Sequence, residues 1–493
     1  MKKYILESAV FISGAVVMVF EIVGSRVLSP YIGTSIFVWT SLIGVILGSL
    51  SIGYWLGGKI ADKKTNYQKF SWIIFMSALL IGVVTIIKDP ILVLFQSSIE
   101  NFKLRTIIST FTLFSLPSVL LGMVSPYAVK LKINSLETSG STVGNLYAIS
   151  TIGSIVGTFG AGFFLIPTFG TTKILFILSI TLILSSISLF TQKGVIMKLY
   201  ILVLFILSIF IVDIVYAQQV KHGIIDTNTT YSHIIIHDDV DKATGKNIKR
   251  MRIDGSSSSA MFAEDDNLVF EYTKYYNLVK HFNPNFKKAL LLGGAAYSYP
   301  KYYLMTYPEA TLDVVEIDPG VTKLAQTYFR LKDNPRLRIF HEDGRTFLNS
   351  TPETYDVIFG DAFASFYSIP YQLTTKEAVQ KMYDKLTDNG IALVNIISAI
   401  EGDKGSFLRA EYATYKSIFP QVFIAPVADT EDPTRFQNIM LIALKHTQEI
   451  SLETEDPELA SFLSHIWKNE ILNDMPILTD NYAPVDYYMY QLL

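Results

Sequence analysis

The sequence has no cysteine and few charged residues, and each shortage excludes a class of protein. Its 493 residues contain no Cys, which excludes disulfide bonds, cysteine-ligated zinc or iron–sulfur sites and thiolate catalysis. Only 17% of the residues are charged, against about 25% in an ordinary soluble protein, and 50% are hydrophobic. The length indicates two or three domains, and the low charge predicts that part of the chain lies in a lipid bilayer.

The net charge of −3 hides two chemically different parts. Residues 1–216 contain 15 Lys and Arg against 7 Asp and Glu, whereas the other 277 residues contain 26 against 37. The basic part has long apolar runs, and the acidic part has apolar runs of strand length. We therefore expect a transmembrane helical domain in residues 1–216 and a soluble part after it. The acidic second part argues against a nucleic-acid partner.

The basic part contains seven apolar segments that are long enough to cross a bilayer. A span needs about 20 apolar residues, and a cleaved signal peptide accounts for one such segment, not seven. The segments are about 5–25, 36–57, 70–87, 104–121, 143–166, 172–190 and 197–216. Residues 89–103 are too short for a span and contain Glu100, so we expect a re-entrant or interfacial piece there. The sequence thus predicts a multi-pass integral membrane protein.

Small residues and two ionisable residues stand out in these spans. Glycines recur at four-residue spacing, which lets helices approach closely in lipid. The pairs are Gly44 and Gly48, Gly53 and Gly57, and Gly153 and Gly157. Glu21 and Arg26 lie in the first span or at its end, where ionisable groups are costly. Because five residues is not the spacing of a helical pair, we expect them to meet partners on other helices, in a structural role or in a ligand pathway.

The second part begins with a small β-rich module, residues 217–272, followed by an α/β domain, residues 273–493. Two β segments, about 231–237 and 249–254, flank a turn and predict an antiparallel hairpin. After it, apolar strands alternate with helices, which is typical of a mostly parallel, Rossmann-like sheet covered on both faces. The expected strands begin at Ala289, Thr311, Leu337, Tyr355 and Gly390, and the expected helices are about 298–306, 319–330 and 374–387.

Four consecutive strands of this domain end in glycine or acidic residues. The strand ends carry Gly293 and Gly294, then Glu316, then Asp343 and Gly344, and then Asp361. Ligands of such sheets bind outside the carboxyl ends of the strands, and paired glycines let a ligand approach the backbone. Glu316 follows Gly293 by 23 residues, a spacing that suits an acid accepting from ribose hydroxyls. The ordered set predicts a nucleoside-type cofactor site, although each residue singly also suits βα turns and helix caps.

Several motifs occur in a fixed order along the chain. They are Glu21-Ile-Val-Gly-Ser-Arg, Gly122-Met-Val-Ser-Pro, Gly144-Asn-Leu-Tyr-Ala, Val315-Glu-Ile-Asp-Pro, Glu342-Asp-Gly-Arg-Thr-Phe-Leu and Leu478-Thr-Asp-Asn-Tyr-Ala-Pro-Val-Asp. Residues 223–445, which contain the motifs that begin at Val315 and Glu342, resemble the spermidine synthases, the polyamine aminopropyltransferases. Nearly the whole chain resembles their membrane-integral relatives, the fused major-facilitator/spermidine-synthase proteins.

The resemblance implies an activity and a role for each site residue. The soluble enzymes transfer an aminopropyl group from decarboxylated S-adenosylmethionine to a diamine and release methylthioadenosine. By resemblance Glu316 would hold the ribose, Asp343 and Gly344 would contact the adenine, and Asp361 would deprotonate the attacking amine. A sulfonium is already a good leaving group, so the protein mainly positions the amine and removes its proton. No metal is expected, and the seven His do not cluster in the sequence.

The chain departs from the family motifs where a diamine would bind. Ala296 and Ala364 stand where the soluble enzymes carry acids, and Val269 stands where their gate region, here about residues 265–271, carries a tyrosine. Ser258 replaces a glutamine. Because desolvating a diammonium is costly without several carboxylates, we expect a retained nucleoside site and a degenerate diamine pocket. The candidate substrate contacts are Ser258, Tyr297 and Phe363.

Three functions stay open at this point. The first is a membrane-bound aminopropyltransferase-like enzyme that uses an S-adenosyl donor on a small-molecule amine or polyamine. The second is an S-adenosylmethionine-dependent methyltransferase with a less charged acceptor, which the aromatic segment 363–371 and the lost acids favour. The third is a transporter or sensor with a nucleoside- or polyamine-binding domain, which Glu21 and Arg26 favour. A homo-oligomer is compatible with all three.

Two opposing arguments concern the side of the membrane on which the soluble part lies. With an inner N terminus, the inner connections hold ten Lys and Arg and the outer ones five, as the positive-inside rule requires. Seven spans would then place residue 217 and its successors outside. S-adenosylmethionine is made in the cytoplasm, however, so either enzyme requires a cytoplasmic domain. We expect a cytoplasmic domain on a bacterial-type plasma membrane.

Overall fold

The structure is a computed structural model that describes residues 4–63, 65–133, 139–189, 195–221, 223–362 and 369–490. It divides into two compact units, Met1–His233 and Ile234–Leu493. The first unit is helical, and the second contains antiparallel strands followed by an α/β sheet domain. Each unit is described by itself.

Nine helices make up the described part of the first unit. They are α1 (Ile5–Ile32), α2 (Ile36–Lys63), α3 (Tyr67–Ser98), α4 (Phe102–Gly122), α5 (Val124–Lys132), α6 (Ser139–Gly160), α7 (Ile166–Thr168), α8 (Thr171–Ser188) and α9 (Val195–Lys221). A π-helical segment, Ala161–Leu165, joins α6 to α7. With α4 and α5 taken together, and likewise α6 and α7, seven helical segments are long and apolar enough to cross a membrane. The predicted number of such segments is confirmed.

The prediction of a separate re-entrant or interfacial piece at residues 89–103 is wrong. Residues 89–98 continue α3, and α4 begins at Phe102 after the Asn101 side chain caps it by accepting from the Leu104 N–H. Pro90 lies inside α3 without ending it, as occurs in apolar helices whose neighbours compensate the lost hydrogen bond. At the start of this stretch Asp89 pairs with Lys88 Nζ at 2.6 Å.

The glycine pairs differ in what they face. A Cβ on Gly153 would lie 2.1 Å from the Phe11 carbonyl oxygen of α1, and one on Gly53 would lie 2.2 Å from the Val119 oxygen of α4. These positions let the helix backbones touch, as the spacing predicted. A Cβ on Gly44 or Gly48, by contrast, would meet no atom of the described residues within 4 Å. Among the described residues, Gly44 and Gly48 therefore bring no neighbouring helix close, and the packing role of that pair stays a prediction.

The second unit begins with a small antiparallel module. Its strands are β2 (His233–Val240), β3 (Asn247–Ile253) and β4 (Ser256–Phe262), and the preceding β1 (Ile225–Asn228) belongs to the first unit. β2 pairs with β3 and β3 with β4 in antiparallel register. The turn between β2 and β3 contains Gly245 with φ of +71°, a conformation that favours glycine. The predicted hairpin is confirmed, and β4 extends it.

The α/β domain is built on seven strands in the order β10-β11-β9-β8-β5-β6-β7. The strands are β5 (Lys288–Leu292), β6 (Thr311–Val315), β7 (Leu337–Phe340), β8 (Tyr355–Gly360), β9 (Leu386–Ser398), β10 (Gln421–Pro426) and β11 (Gln437–Leu444). β5 to β9 are parallel, β11 runs antiparallel to β9, and the edge strand β10 pairs antiparallel with β11, so it has the same direction as β5 to β9. The predicted Rossmann-like, mostly parallel sheet is confirmed. Strands β10 and β11 were not among the predicted strands, and periodicity would not have shown that β11 is reversed.

Short helices cover both faces of this sheet. They are α10 (Glu271–Lys274), α11 (Val279–Phe282), α12 (Ser298–Thr306), α13 (Pro319–Tyr328), α14 (Gly344–Ser350), α15 (Lys376–Lys385), α16 (Ser406–Lys416), α17 (Pro457–Ser464) and α18 (Val485–Tyr490). Alternate side chains of β5 enter two separate cores, with Ala289 and Leu291 on one face and Leu290 and Leu292 on the other. Burial on both faces explains why the strand is apolar throughout.

The strand order places a crevice at the end of β5. From β5 the chain continues to β6 and β7 on one side and then returns to β8 and β9 on the other side. Ligands of open α/β sheets bind where the strand order reverses in this way. The residues that follow β5 and β8 are therefore the first candidates for a site.

The glycine contacts predict a difference between two substitutions. Gly153→Val should destabilise the helical unit by about 1–3 kcal/mol, because its Cβ overlaps a backbone oxygen that cannot rotate away. The matched control, Gly44→Val, should have little effect, since that position is open. The measurement is the thermal unfolding midpoint of the full chain in detergent, and equal midpoints for the two variants would contradict the packing assignment.

Candidate active site

The ends of β5 and β8 lie against each other at the crevice. The Asp361 N–H donates to the Leu292 carbonyl at 2.9 Å, and the Gly293 N–H donates to the Val315 carbonyl at 2.9 Å. Gly293 has φ of +96°, and a Cβ there would lie 2.3 Å from the Asp361 carbonyl oxygen. Only glycine fits this position, since both the backbone conformation and the space exclude a side chain.

The loop after Gly293 is held by Glu316. One oxygen of its carboxylate, Oε2, accepts from the N–H groups of Gly294 and Ala295, each at 3.0 Å, and Oε1 accepts from the Asp318 N–H at 3.0 Å. Burial raises the pKa of Glu316, and these backbone hydrogen bonds oppose the rise. Ala295 has φ of +44°, a conformation that is costly for a residue other than glycine. The Glu316 carboxylate therefore stabilises a strained loop.

Asp343 caps a helix at the end of the third strand. Its Oδ1 accepts from the Thr346 N–H at 3.0 Å in the first turn of α14, and its Oδ2 accepts from Gln372 Nε2 at 3.3 Å. A Cβ on Gly344 would lie 3.3 Å from the Leu373 side chain. Asp343 thus caps a helix, which was the alternative explanation for this residue. A ligand that contacts Asp343 would bind the same carboxylate that accepts these hydrogen bonds.

Asp361 is a carboxylate held by neutral donors. Tyr272 donates its hydroxyl to Oδ2 at 3.0 Å, and Asn395 donates through Nδ2 to Oδ1 at 3.2 Å. Burial raises the pKa of Asp361 to about 6, and the two hydrogen bonds limit the rise. The group is therefore ionised above about pH 6, where a carboxylate can accept a proton from a substrate.

Aromatic side chains surround the Asp361 carboxylate. The Tyr272 ring lies 6.4 Å from the Tyr276 ring, which is fully buried and lies 4.8 Å from Tyr299 and 5.0 Å from Phe359. The Tyr276 hydroxyl donates to the Gly360 carbonyl at 3.3 Å. Sequence reasoning missed Tyr272, because it looked for the gate tyrosine at position 269, three residues earlier. It also missed Asn395, whose signal is a lone amide in an apolar strand.

Two acids of the gate region, Asp266 and Glu271, are already paired with cations of this chain. Asp266 Oδ1 lies 2.7 Å from Lys301 Nζ and 2.9 Å from Arg330 Nη2. Glu271 pairs with Lys274 at 2.7 Å. These carboxylates are therefore engaged before any amine substrate arrives.

The three candidate substrate contacts differ in their exposure and in whether the structure describes them. Ser258 is partly exposed on β4 and donates to the Ser256 carbonyl at 3.3 Å. Tyr297 is fully buried, and its hydroxyl lies 2.8 Å from Thr322 Oγ1. The ring packs beneath the loop, and a contact between Tyr297 and a substrate stays a prediction. Phe363 lies outside the described residues.

The two ionisable residues predicted in the first span both lie on α1. Arg26 donates through Nη2 to the Thr230 carbonyl oxygen at 2.5 Å, and Glu21 is half-buried. This partner of Arg26 is a backbone group beyond β1, and the expectation that Glu21 and Arg26 meet partners on other helices stays a prediction. Asp213 of α9 pairs with Lys173 of α8. Among the residues that the structure describes, no group of three or more His, Asp and Glu side chains is arranged to hold a metal ion.

Comparison with known proteins gives a family for the second unit. Residues 270–449 match the family model of the spermine/spermidine synthase domain. A polyamine aminopropyltransferase of Vibrio vulnificus is 28% identical over 195 residues, which are 39% of this chain and 63% of that protein. Polyamine aminopropyltransferase 1 of Streptomyces coelicolor is 22% identical over 395 residues, which are 75% of this chain and 72% of that protein. The chain therefore contains a spermidine synthase-like domain, and the predicted resemblance is confirmed.

The extent of these likenesses is limited. This chain spans 49% to 63% of the length of several of the curated relatives it matches. A crystal structure of a probable spermidine synthase from Corynebacterium glutamicum is 23% identical, with a TM-score of 0.41, and the match covers 49% of this chain and 88% of that one.

The contacts of Glu316 predict the effect of a nearly isosteric change. Glu316→Gln replaces one carboxylate oxygen by an NH₂ group, so at least one of the three backbone N–H groups would face a donor. We expect faster hydrogen–deuterium exchange at the amides of Gly294, Ala295 or Asp318. The matched control is Glu309→Gln, at an exposed position. Unchanged exchange in the loop would remove Glu316 as its support.

Proposed function

We propose that this protein is a membrane-bound aminopropyltransferase-like enzyme that uses decarboxylated S-adenosylmethionine and an amine acceptor. The observation that carries the proposal is the arrangement at the crevice, where the Asp361 carboxylate adjoins the glycine loop that Glu316 holds. The match of residues 270–449 to the spermine/spermidine synthase domain supports the reaction class.

On the donor side, the loop and the strand ends bind the nucleoside. Gly293 and Gly294 leave room for the ligand beside the backbone. The Glu316 carboxylate has about four lone-pair positions, and three of them accept from backbone N–H groups. The remaining position accepts from a ribose hydroxyl. Asp343 and Gly344 contact the adenine. The donor brings its own sulfonium, and no metal takes part.

On the acceptor side, Asp361 is the base. The amine nitrogen attacks the aminopropyl carbon that is bonded to sulfur, the carbon–sulfur bond breaks, and methylthioadenosine leaves as a neutral thioether. The proton that the amine loses passes to Asp361. Because the pKa of Asp361 is about 6, the base form is present at neutral pH and is lost as the pH falls through 6.

The acceptor is less charged than a free diamine. Asp266 and Glu271 are paired with cations of this chain, and Ala296 stands where the family has an acid. Around Asp361 the described neighbours are aromatic rings and amides. A site with few free carboxylates binds a second ammonium poorly, since that charge would be desolvated without compensation.

A methyltransferase is the second candidate, and the aromatic surroundings of Asp361 favour it. A ring such as Tyr272 suits a flat or apolar acceptor, and S-adenosylmethionine would fill the same nucleoside site. The two enzymes differ in their product, because methyl transfer releases S-adenosylhomocysteine and aminopropyl transfer releases methylthioadenosine.

The helical unit anchors the enzyme in the bilayer. Its seven long apolar segments have the length and composition of membrane spans. We place the protein in a bacterial-type plasma membrane with the α/β domain in the cytoplasm, where S-adenosyl donors are made.

A product assay tests the proposed reaction. The full chain in detergent is incubated with each donor and a panel of monoamines and polyamines, and mass spectrometry identifies the released nucleoside. Asp361→Asn should lower turnover by about 10²–10⁴-fold, because the base is lost, while methylthioadenosine binding measured by calorimetry stays unchanged. The matched control is Asp388→Asn, at an exposed position. Absence of both products from the unsubstituted protein would overturn the enzyme assignment.

A topology reporter tests the location. We expect a reporter fused to the C terminus to be active only if it is of the cytoplasmic type, since the donor is cytoplasmic. The control is the same reporter fused after Met1. A C terminus outside the cell would contradict the placement unless a donor is exported.

A further inference from the structure

Asn395 is a buried amide in a strand that is otherwise apolar around it. It lies on β9 within the run Ile391-Ala-Leu-Val-Asn-Ile-Ile and is 2% exposed. Burying an amide costs free energy unless its donors and acceptor are satisfied. Core packing alone would be met by an apolar residue, so the partners of Asn395 require an explanation.

Both ends of the Asn395 amide are engaged. Nδ2 donates to Asp361 Oδ1 at 3.2 Å, and Oδ1 accepts from Asn438 Nδ2 at 2.9 Å. Asn438 lies on β11, the strand that pairs with β9. If the Asn395 amide were turned over, its oxygen would face the Asp361 carboxylate and its NH₂ would face the NH₂ of Asn438. The donation from Asn438 therefore fixes which end of Asn395 meets Asp361.

We propose that Asn395, oriented by Asn438, is a positioning residue that holds Asp361 as an ionised carboxylate facing the acceptor. The part of this statement that concerns the acceptor rests on the proposed function. Asn395 on β9 donates to Oδ1 of Asp361, and Tyr272 on α10 donates to Oδ2, so both oxygens are held. Two donors leave about two lone-pair positions of the carboxylate for an amine.

The groups around Asp361 explain why an amide is needed there. The polar groups that face it are the Tyr272 hydroxyl from α10, the Asn395 amide from β9 and, farther away, Tyr276 from the 3-10 turn Tyr275–Leu278. Within the described residues no lysine or arginine contributes to its ionisation. Burial favours the neutral acid, so the hydrogen bonds from uncharged donors are what oppose protonation.

The test is the protonation of Asp361 in the full chain purified in detergent. Infrared difference spectra across a pH series give a carboxylic-acid band, and Asp361→Asn identifies it by removing it. In Asn395→Leu, which is close in volume and lacks the donor, the band should titrate about one pH unit or more above its position in the unsubstituted protein. Asn438→Leu should move it in the same direction by less, because Asn395 remains but is free to turn.

A matched control and a second readout separate positioning from general damage. Asn469→Leu, at an exposed position, should leave the titration unchanged. Where transfer is measurable, the acid limb of the kcat profile should move with the infrared titration, while the affinity for methylthioadenosine stays the same. An unchanged titration in Asn395→Leu or in Asn438→Leu overturns the proposal. A shifted titration without any transfer product overturns the proposed function and leaves the positioning of Asp361 standing.

Discussion

The candidate site depends on one constraint, which is the cost of keeping a carboxylate ionised away from water and without a cation beside it. Glu316 and Asp361 both meet this constraint at neighbouring strand ends, and they meet it differently. Glu316 uses backbone N–H groups, so its ionisation is tied to the shape of the glycine loop. Asp361 uses side-chain donors, so its ionisation is tied to the residues that line the acceptor side. A cation would hold either carboxylate more strongly, but it would also compete with the hydroxyls or amine of the proposed substrates.

The cost of an unpaired carboxylate also applies to the acids of the gate region, residues 265–271. Asp266 lies between Lys301 and Arg330, and Arg330 also donates to the backbone carbonyl of Phe262. These contacts fasten the segment after β4 to the helices beside the glycine loop. In this arrangement Asp266 stabilises the fold and is not free for an ammonium group. The net negative charge of the second part of the chain therefore does not show how many carboxylates can bind a substrate cation. Some of these carboxylates are already paired with cations of the chain.

Much of the fold follows from periodicity, since the apolar runs and glycine turns locate the five parallel strands and the seven long helical segments. The strand ends predict Glu316 and Asp361 because parallel strands bring their carboxyl ends to one edge. The donors of Asp361 escape such reasoning, since Tyr272 and Asn395 are separated from it by 89 and 34 residues and belong to no shared pattern. Gly44 and Gly153 have the same spacing to a second glycine, yet only Gly153 contacts a neighbouring helix. Spacing identifies a helix face, whereas the partner on that face is a property of the packed bundle.

The raised pKa of Asp361 links the aromatic surroundings to the chemistry of the site. A carboxylate in water has its pKa near 4 and is a weak base at neutral pH, whereas one at about 6 accepts a proton more readily and is still ionised at pH 7. Burial raises the pKa of Asp361, and the hydrogen bonds from Asn395 and Tyr272 oppose the rise. An amine site that has few free carboxylates and a buried remaining carboxylate thus shows two connected effects. Its attraction for a second ammonium is weaker, and its remaining carboxylate is a stronger base.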